Sequence, residues 1–130
     1  MERELRDYFD EQLEVVLREL PPAVHELLEK VPLVIEDHPS REMLRSVGVR
    51  RKDGLCGLYT GVPLTERSID QPATPSDVIH LFRRGILAMA ADRRGDIDED
   101  ELRKQIRITI LHELGHYHGF VENELDELGY

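Results

Sequence analysis

The segment ITILHELGHYHGF, residues 108–120, constrains this chain more than any other stretch. His112 and His116 are four positions apart, so on a helix they stand about 40° apart in azimuth and about 6 Å apart along the axis. Both imidazoles can then reach one ion. Glu113 lies about 100° round from His112, off the ligand axis but beside it. His118 lies about 240° round and points elsewhere if the helix stays regular. Apolar residues of ITIL and Leu114 cover the remaining faces, as in a helix built into a core, and Gly119 is placed to end it.

This spacing is HExxH, the arrangement in which two histidines bind zinc and the glutamate takes a proton from the water beside the metal. The competing reading is a core helix whose histidines are satisfied by hydrogen bonds, with Glu113 on a solvated face. Two longer patterns fail. A thermolysin-like third ligand comes from a second helix well downstream, and only 14 residues follow His116. A metzincin has a histidine three residues after the glycine and a methionine turn beyond, whereas position 122 is Glu and no methionine follows Met89. Two histidines do not complete a catalytic zinc site, which takes three protein ligands and leaves one position for water.

The rest of the chain supplies an α+β frame. Leu5, Tyr8, Phe9, Leu13, Val16, Leu17 and Leu20 fall at helical spacing, and the prolines at 21 and 22 stop that helix. Pro22 opens a shorter helix through Lys30, burying Val24, Leu27 and Leu28. VPLVIED predicts a strand from about Leu33, because Pro32 cannot donate to a ladder. Ser40 and Gly48 are the expected N-cap and stop of a short helix over REMLRSV. The DG at 53–54 marks a turn before a strand in LCGLYTG, whose glycines suggest a bulge or a close approach. A loop over 62–77, a strand in VIHLFR, a helix in GILAMAADRR and a long helix to Tyr117 follow, the last capped by Asp98 with Glu101 three residues on. The acids at 96–101 are read as that cap and its first turn, not as a calcium site. The strands are too few and too irregularly separated for a doubly wound sheet, so the expected fold is α+β with a small mixed sheet, one domain over 1–130.

Composition narrows the partners. A net charge of -10 leaves no basic footprint for nucleic acid. Cys56 is the single cysteine, which excludes an intramolecular disulfide and a CxxC zinc site and fits a reducing compartment. With no signal-like run at the N-terminus and no stretch that spans a bilayer, the expected location is cytoplasmic, off the membrane.

Several segments together resemble a small zincin-like metallopeptidase family of bacterial proteins: LPP near the N-terminus, VIEDHPS, GLYTGVPLTER, IHLFRR and TILHELGHYHGFVENELDELG. The resemblance implies a minimal zincin, with a short mixed sheet, a motif helix and a compact C-terminal turn and helix. The family pattern is HExxHxxGxxD. His112 and His116 match its histidine ligands, Glu113 its catalytic glutamate and Gly119 its glycine. Glu122 stands where the pattern has aspartate, so the implied third ligand is a carboxylate one methylene longer. Glu124 and Asp126 are the alternatives, along with a position left unfilled.

The function this implies is a zinc-dependent peptidase acting on a peptide or protein substrate, with Glu113 as general base. The alternative is a zinc-binding interaction module of zincin fold, with little or no turnover and a partner protein. Other residues carry plainer readings. His118 is a surface or outer histidine, and His80 an ordinary strand histidine unless its strand is the edge along which a peptide adds. Thr65, Glu66 and Arg67 fix the loop. Cys56 is packed. Arg67, Tyr117 and Tyr130 are the candidates for stabilising an oxyanion.

Overall fold

The computed structural model describes residues 1–61, 77–120 and 123. Its elements are α1 (Arg3–Glu19), α2 (Pro22–Lys30), β1 (Leu33–Glu36), α3 (Arg41–Val47), β2 (Gly57–Thr60), β3 (Val78–Phe82), α4 (Arg83–Ala90) and α5 (Glu99–Tyr117). Kind and order match those expected, and the class is α+β. Except for Asp77, the loop expected over 62–77 lies outside the described residues. So do Thr65, Glu66, Arg67, Glu122, Glu124, Asp126, Tyr130 and the C-terminal helix.

The caps explain where the helices stop. Ser40 Oγ accepts from the Met43 amide at 3.1 Å, and Gly48 takes φ 71°, closing α3 at both ends. Asp98 Oδ2 accepts from the Glu101 amide at 3.0 Å, and three acids in the first turn of α5 face the positive end of its dipole. The helix in GILAMAADRR is shorter at its end than its composition suggests. It stops at Ala90, because Asp92 Oδ1 accepts from the Arg94 and Asp96 amides and turns the chain towards α5.

Three strands form one mixed sheet in the order β1-β3-β2. β1 pairs with β3 in parallel, Leu33 opposite Ile79, and β2 pairs with β3 antiparallel, Gly57 opposite Leu81. β3 is therefore central, which removes His80 from any edge. Its Nδ1 sits 2.8 Å from Glu36 Oε1 and its ring stacks on Phe82, so it is a strand histidine with a carboxylate partner. Strand alternation sends Ile79 and Leu81 to the opposite face. There they join Phe9, Val16, Ile86, Leu102, Ile106 and Ile110, all without solvent exposure. Each such side chain contributes about 2 kcal/mol on burial.

In α1 the buried residues are Phe9, Gln12, Leu13 and Val16. Gln12 occupies the core stripe because it bridges two side chains of α5, donating to Glu99 Oε1 at 2.9 Å and accepting from Arg103 Nε at 2.6 Å. α2 buries less than its apolar positions suggest. Val24, Leu27 and Leu28 are half-buried at the margin of the core, and no residue of this helix is fully covered.

A four-residue ion network ties α1 to the ends of β1 and β3. Arg83 donates to Asp10 Oδ1 and Asp37 Oδ1, each at 2.9 Å, and Arg6 donates to Asp37 from its Nε at 3.2 Å. The hydrogen bond from Arg6, the largest influence, outweighs the opposing effect of burial and, with the hydrogen bond from Arg83, holds the Asp37 carboxyl below its ordinary 3.8. A depressed folded-state value means that this stabilisation is complete above about pH 4 and is lost as pH falls through the folded value. Asp37→Asn is expected to lower the melting temperature at pH 7, with the gap from wild type closing as pH drops below about 4. Melting curves at pH 7, 4 and 3 check it.

Candidate metal centre

α5 rests on β2 and β3 and packs against α1 and α4. Its approach to β2 depends on Gly57. A Cβ there would lie 2.7 Å from Thr109 Cγ2, 2.9 Å from the His80 carbonyl and 3.3 Å from Glu113 Cγ, so glycine lets the helix down onto the strand. The close approach suggested by the glycines of LCGLYTG is thus real, and it positions Glu113. Gly57→Ala is expected to destabilise the fold by about 1–3 kcal/mol through overpacking. Denaturant titration reads that loss.

Glu113 is buried, 6% exposed, in contrast to the solvated glutamate of a plain core helix. Its Oε1 accepts from the main-chain N–H of Tyr59 on β2 at 2.8 Å, and its Oε2 lies 3.8 Å from His112 Nε2. One carboxylate oxygen is anchored to the sheet while the other turns towards the histidines.

The two imidazoles converge as the helical spacing requires. His112 Nε2 and His116 Nε2 are 3.2 Å apart, with ring planes at 82°. Two nitrogens about 2.05 Å from one ion, subtending a tetrahedral angle, stand about 3.3 Å apart. The pair therefore has the separation that tetrahedral coordination needs. Ligand atoms of His112, Glu113 and His116 all fall within 4.8 Å of one another.

The end of α5 sets the tautomer of one histidine. Gly119 takes φ 96°, its amide donates to the His116 carbonyl at 2.9 Å, and the Phe120 amide donates to the Gly115 carbonyl at 2.9 Å, a Schellman closure. This turn carries the Phe120 carbonyl to 2.9 Å from His116 Nδ1. A carbonyl only accepts, so Nδ1 carries the proton and a neutral ring presents its lone pair at Nε2. A carbonyl partner on the outer nitrogen is the usual arrangement behind a metal-ligating histidine.

A family model described as zincin-like metallopeptidase matches residues 28–130. The chain belongs to that family. Comparison with curated proteins gives no match. The matched span of this zincin-like chain covers β1 through α5 and leaves α1 outside, although α1 supplies Phe9, Gln12 and Val16 to the packing under α5.

The His/Glu/His cluster is compatible with a bound metal ion. His118 stays apart from it, exposed at the C-cap of α5. Tyr117 is buried in the core with its ring edge-on to Tyr59 at 5.7 Å. Cys56 is half-buried beside the site. Burial first, then the nearby Glu113 charge, pushes its thiol up to about 11, so it stays protonated and inert at neutral pH.

Sequence reasoning did not single out Tyr59. Its amide holds Glu113, while its hydroxyl donates to the buried Asp77 at 2.8 Å. The glycine pattern around it in GLYTG was the available signal. A groove of about 640 Å³ opens beside these groups, between β2 and α5, and His112, Glu113 and His116 form part of its wall.

Proposed function

We propose that this zincin-like protein is a zinc-dependent peptidase, with zinc held by His112, His116 and Glu122 and with Glu113 as general base. The observation that carries the proposal is the 3.2 Å convergence of the two Nε2 atoms next to a buried carboxylate, at the wall of an open groove. Glu122 rests on its match to the third-ligand position of the family pattern, three residues after Gly119.

When bound, zinc supplies Lewis-acid polarisation of the substrate carbonyl and brings the pKa of water down to about 7. The chain's own residues do the rest. Tyr59 fixes the Glu113 carboxylate through Oε1, leaving Oε2 to take the proton of the attacking water and pass it to the leaving amine. The Phe120 carbonyl keeps His116 in the tautomer whose Nε2 faces His112. Gly57 holds strand and helix close enough for the Tyr59 amide to reach Glu113. The substrate is a peptide or protein segment, since the groove runs along strand main chain and the charge of -10 offers nothing to a phosphate backbone.

The test is a peptide library incubated with zinc-loaded protein. Cleavage that a chelator abolishes and added zinc restores supports the peptidase. A protein that holds one zinc per chain and cleaves nothing in the library is the non-enzymatic binding module instead.

A further inference from the structure

We infer that Asp77 is a positioning residue for Glu113: by holding the Tyr59 hydroxyl, it sets the direction of the Tyr59 amide that fixes the Glu113 carboxylate. Its consequence for catalysis rests on the peptidase reading, whereas its consequence for the Tyr59 amide does not.

Burial carries the first part of the argument. Among the described residues two carboxylates are buried, Glu113 at 6% and Asp77 at 2% exposure. Both accept from Tyr59, Glu113 Oε1 from its main-chain N–H and Asp77 Oδ1 from its hydroxyl, each at 2.8 Å. Taking a carboxylate out of water is unfavourable unless hydrogen bonds replace the lost solvent. Glu113 stands within the cluster with His112 and His116, whereas Asp77 is outside it and is linked to it through Tyr59. The chain also makes room for the link. A Cβ at Gly61 would collide with Asp77 Oδ1 and lie 2.8 Å from the Tyr59 hydroxyl, so glycine admits this hydrogen bond as Gly57 admits the helix.

Strand geometry carries the second part. The Phe82 amide donates to the Cys56 carbonyl at 2.8 Å, which makes 56/82, 58/80 and 60/78 the hydrogen-bonded pairs in the β2/β3 register. Tyr59 faces Ile79 in a pair without those bonds, so β3 does not aim its amide. Its side chain supplies the constraint instead. Asp77, two residues before Ile79, lies diagonal to Tyr59, within reach of an aromatic side chain. The Tyr59 ring also meets Tyr117, the residue after His116, edge-on at 5.7 Å. Held at ring and hydroxyl, the side chain fixes the Cα–Cβ direction of Tyr59 and the peptide plane that carries its N–H. With the hydroxyl released, the ring can turn, and the amide and the Glu113 carboxylate shift with it. A displacement of about 1 Å at a reacting group lowers a rate by about a hundredfold.

The experiment reads the amide and the rate separately. Tyr59→Phe, Asp77→Ala and the double variant are compared with wild type and with Asp37→Asn, which loses stability away from the site. Hydrogen exchange at the residue 59 amide, followed by NMR against the core amides of Ile106 and Ile110, needs no turnover. It is expected to accelerate about tenfold or more, relative to those amides, in both single variants and not in Asp37→Asn. Hydrolysis of a cleaved library peptide by the zinc-loaded proteins is the second readout. There kcat is expected to fall about 10- to 100-fold with KM within about threefold and zinc content unchanged, the double variant being no slower than the slower single one. Exchange at residue 59 unaltered in both single variants overturns the inference, as does a fall in kcat that Asp37→Asn reproduces, or two single losses that multiply in the double variant. Should Asp77→Ala not fold, Tyr59→Phe, which keeps the ring and the main chain, decides by the same two readouts. A loosened amide in a protein whose wild type cleaves nothing upholds the positioning and removes the peptidase. Wild-type cleavage with kcat unchanged in Tyr59→Phe overturns the positioning and leaves the peptidase standing.

Discussion

Glu113→Gln is expected to lower kcat/KM for peptide hydrolysis by about 10²- to 10⁴-fold while zinc content stays at the wild-type level. The amide is isosteric with the carboxylate, and its carbonyl oxygen can still accept from the Tyr59 amide, the contact that fixes Oε1 at 2.8 Å. Packing over Gly57 is unchanged, because the side-chain volume is the same. What disappears is the ability to hold a proton at Oε2, 3.8 Å from His112 Nε2. Stopped assays on a cleaved library peptide, with metal analysis of the same preparation, read both quantities. If zinc leaves together with activity, Glu113 acts as a ligand and the general-base role fails. If activity survives within a few-fold, another group moves the proton.

Gly119→Val has the second largest expected effect. At φ 96° a β-branched residue is strained by about 1–3 kcal/mol. Relief of that strain by unwinding the turn withdraws the Phe120 carbonyl from His116 Nδ1, now 2.9 Å away. Loss of such an outer partner costs about 10- to 100-fold in metal affinity, and competition titration against a chromophoric chelator measures it. Gly95→Ala separates this effect from general backbone strain. Gly95 also has positive φ, 85°, but a Cβ there meets nothing within 4 Å. The control should lose stability and keep the wild-type zinc affinity. Equal affinity losses in both variants would mean that the closure acts only through stability.

Local chemistry was the legible part of this chain. Ser40 with Gly48, Pro22, and Asp98 with Gly119 each act within a few residues, so caps and stops could be read directly and the helices began or ended as expected. The four-residue spacing of His112 and His116 is equally local, and it converges as helical geometry demands. Features that depend on distant partners were not legible. Gln12 reads as a polar interruption of an apolar stripe until Glu99 and Arg103 arrive from 87 and 91 residues away. Tyr59 supports Glu113 through a main-chain amide, which leaves no mark on residue identity. Strand order is likewise absent from local sequence, and it is strand order that puts His80 on the central strand and gives the groove to β2. The Arg6, Arg83, Asp10 and Asp37 network joins four charges that look like ordinary surface residues in the chain.

The most direct test of the metal centre is the zinc-to-protein ratio after exhaustive dialysis against metal-free buffer, compared between wild type and His116→Ala. Convergence of His112 and His116 on one ion predicts a ratio near one for wild type and near zero for the variant, with the variant still folded by circular dichroism. A wild type that retains no metal, or a variant that retains as much as wild type, would contradict it.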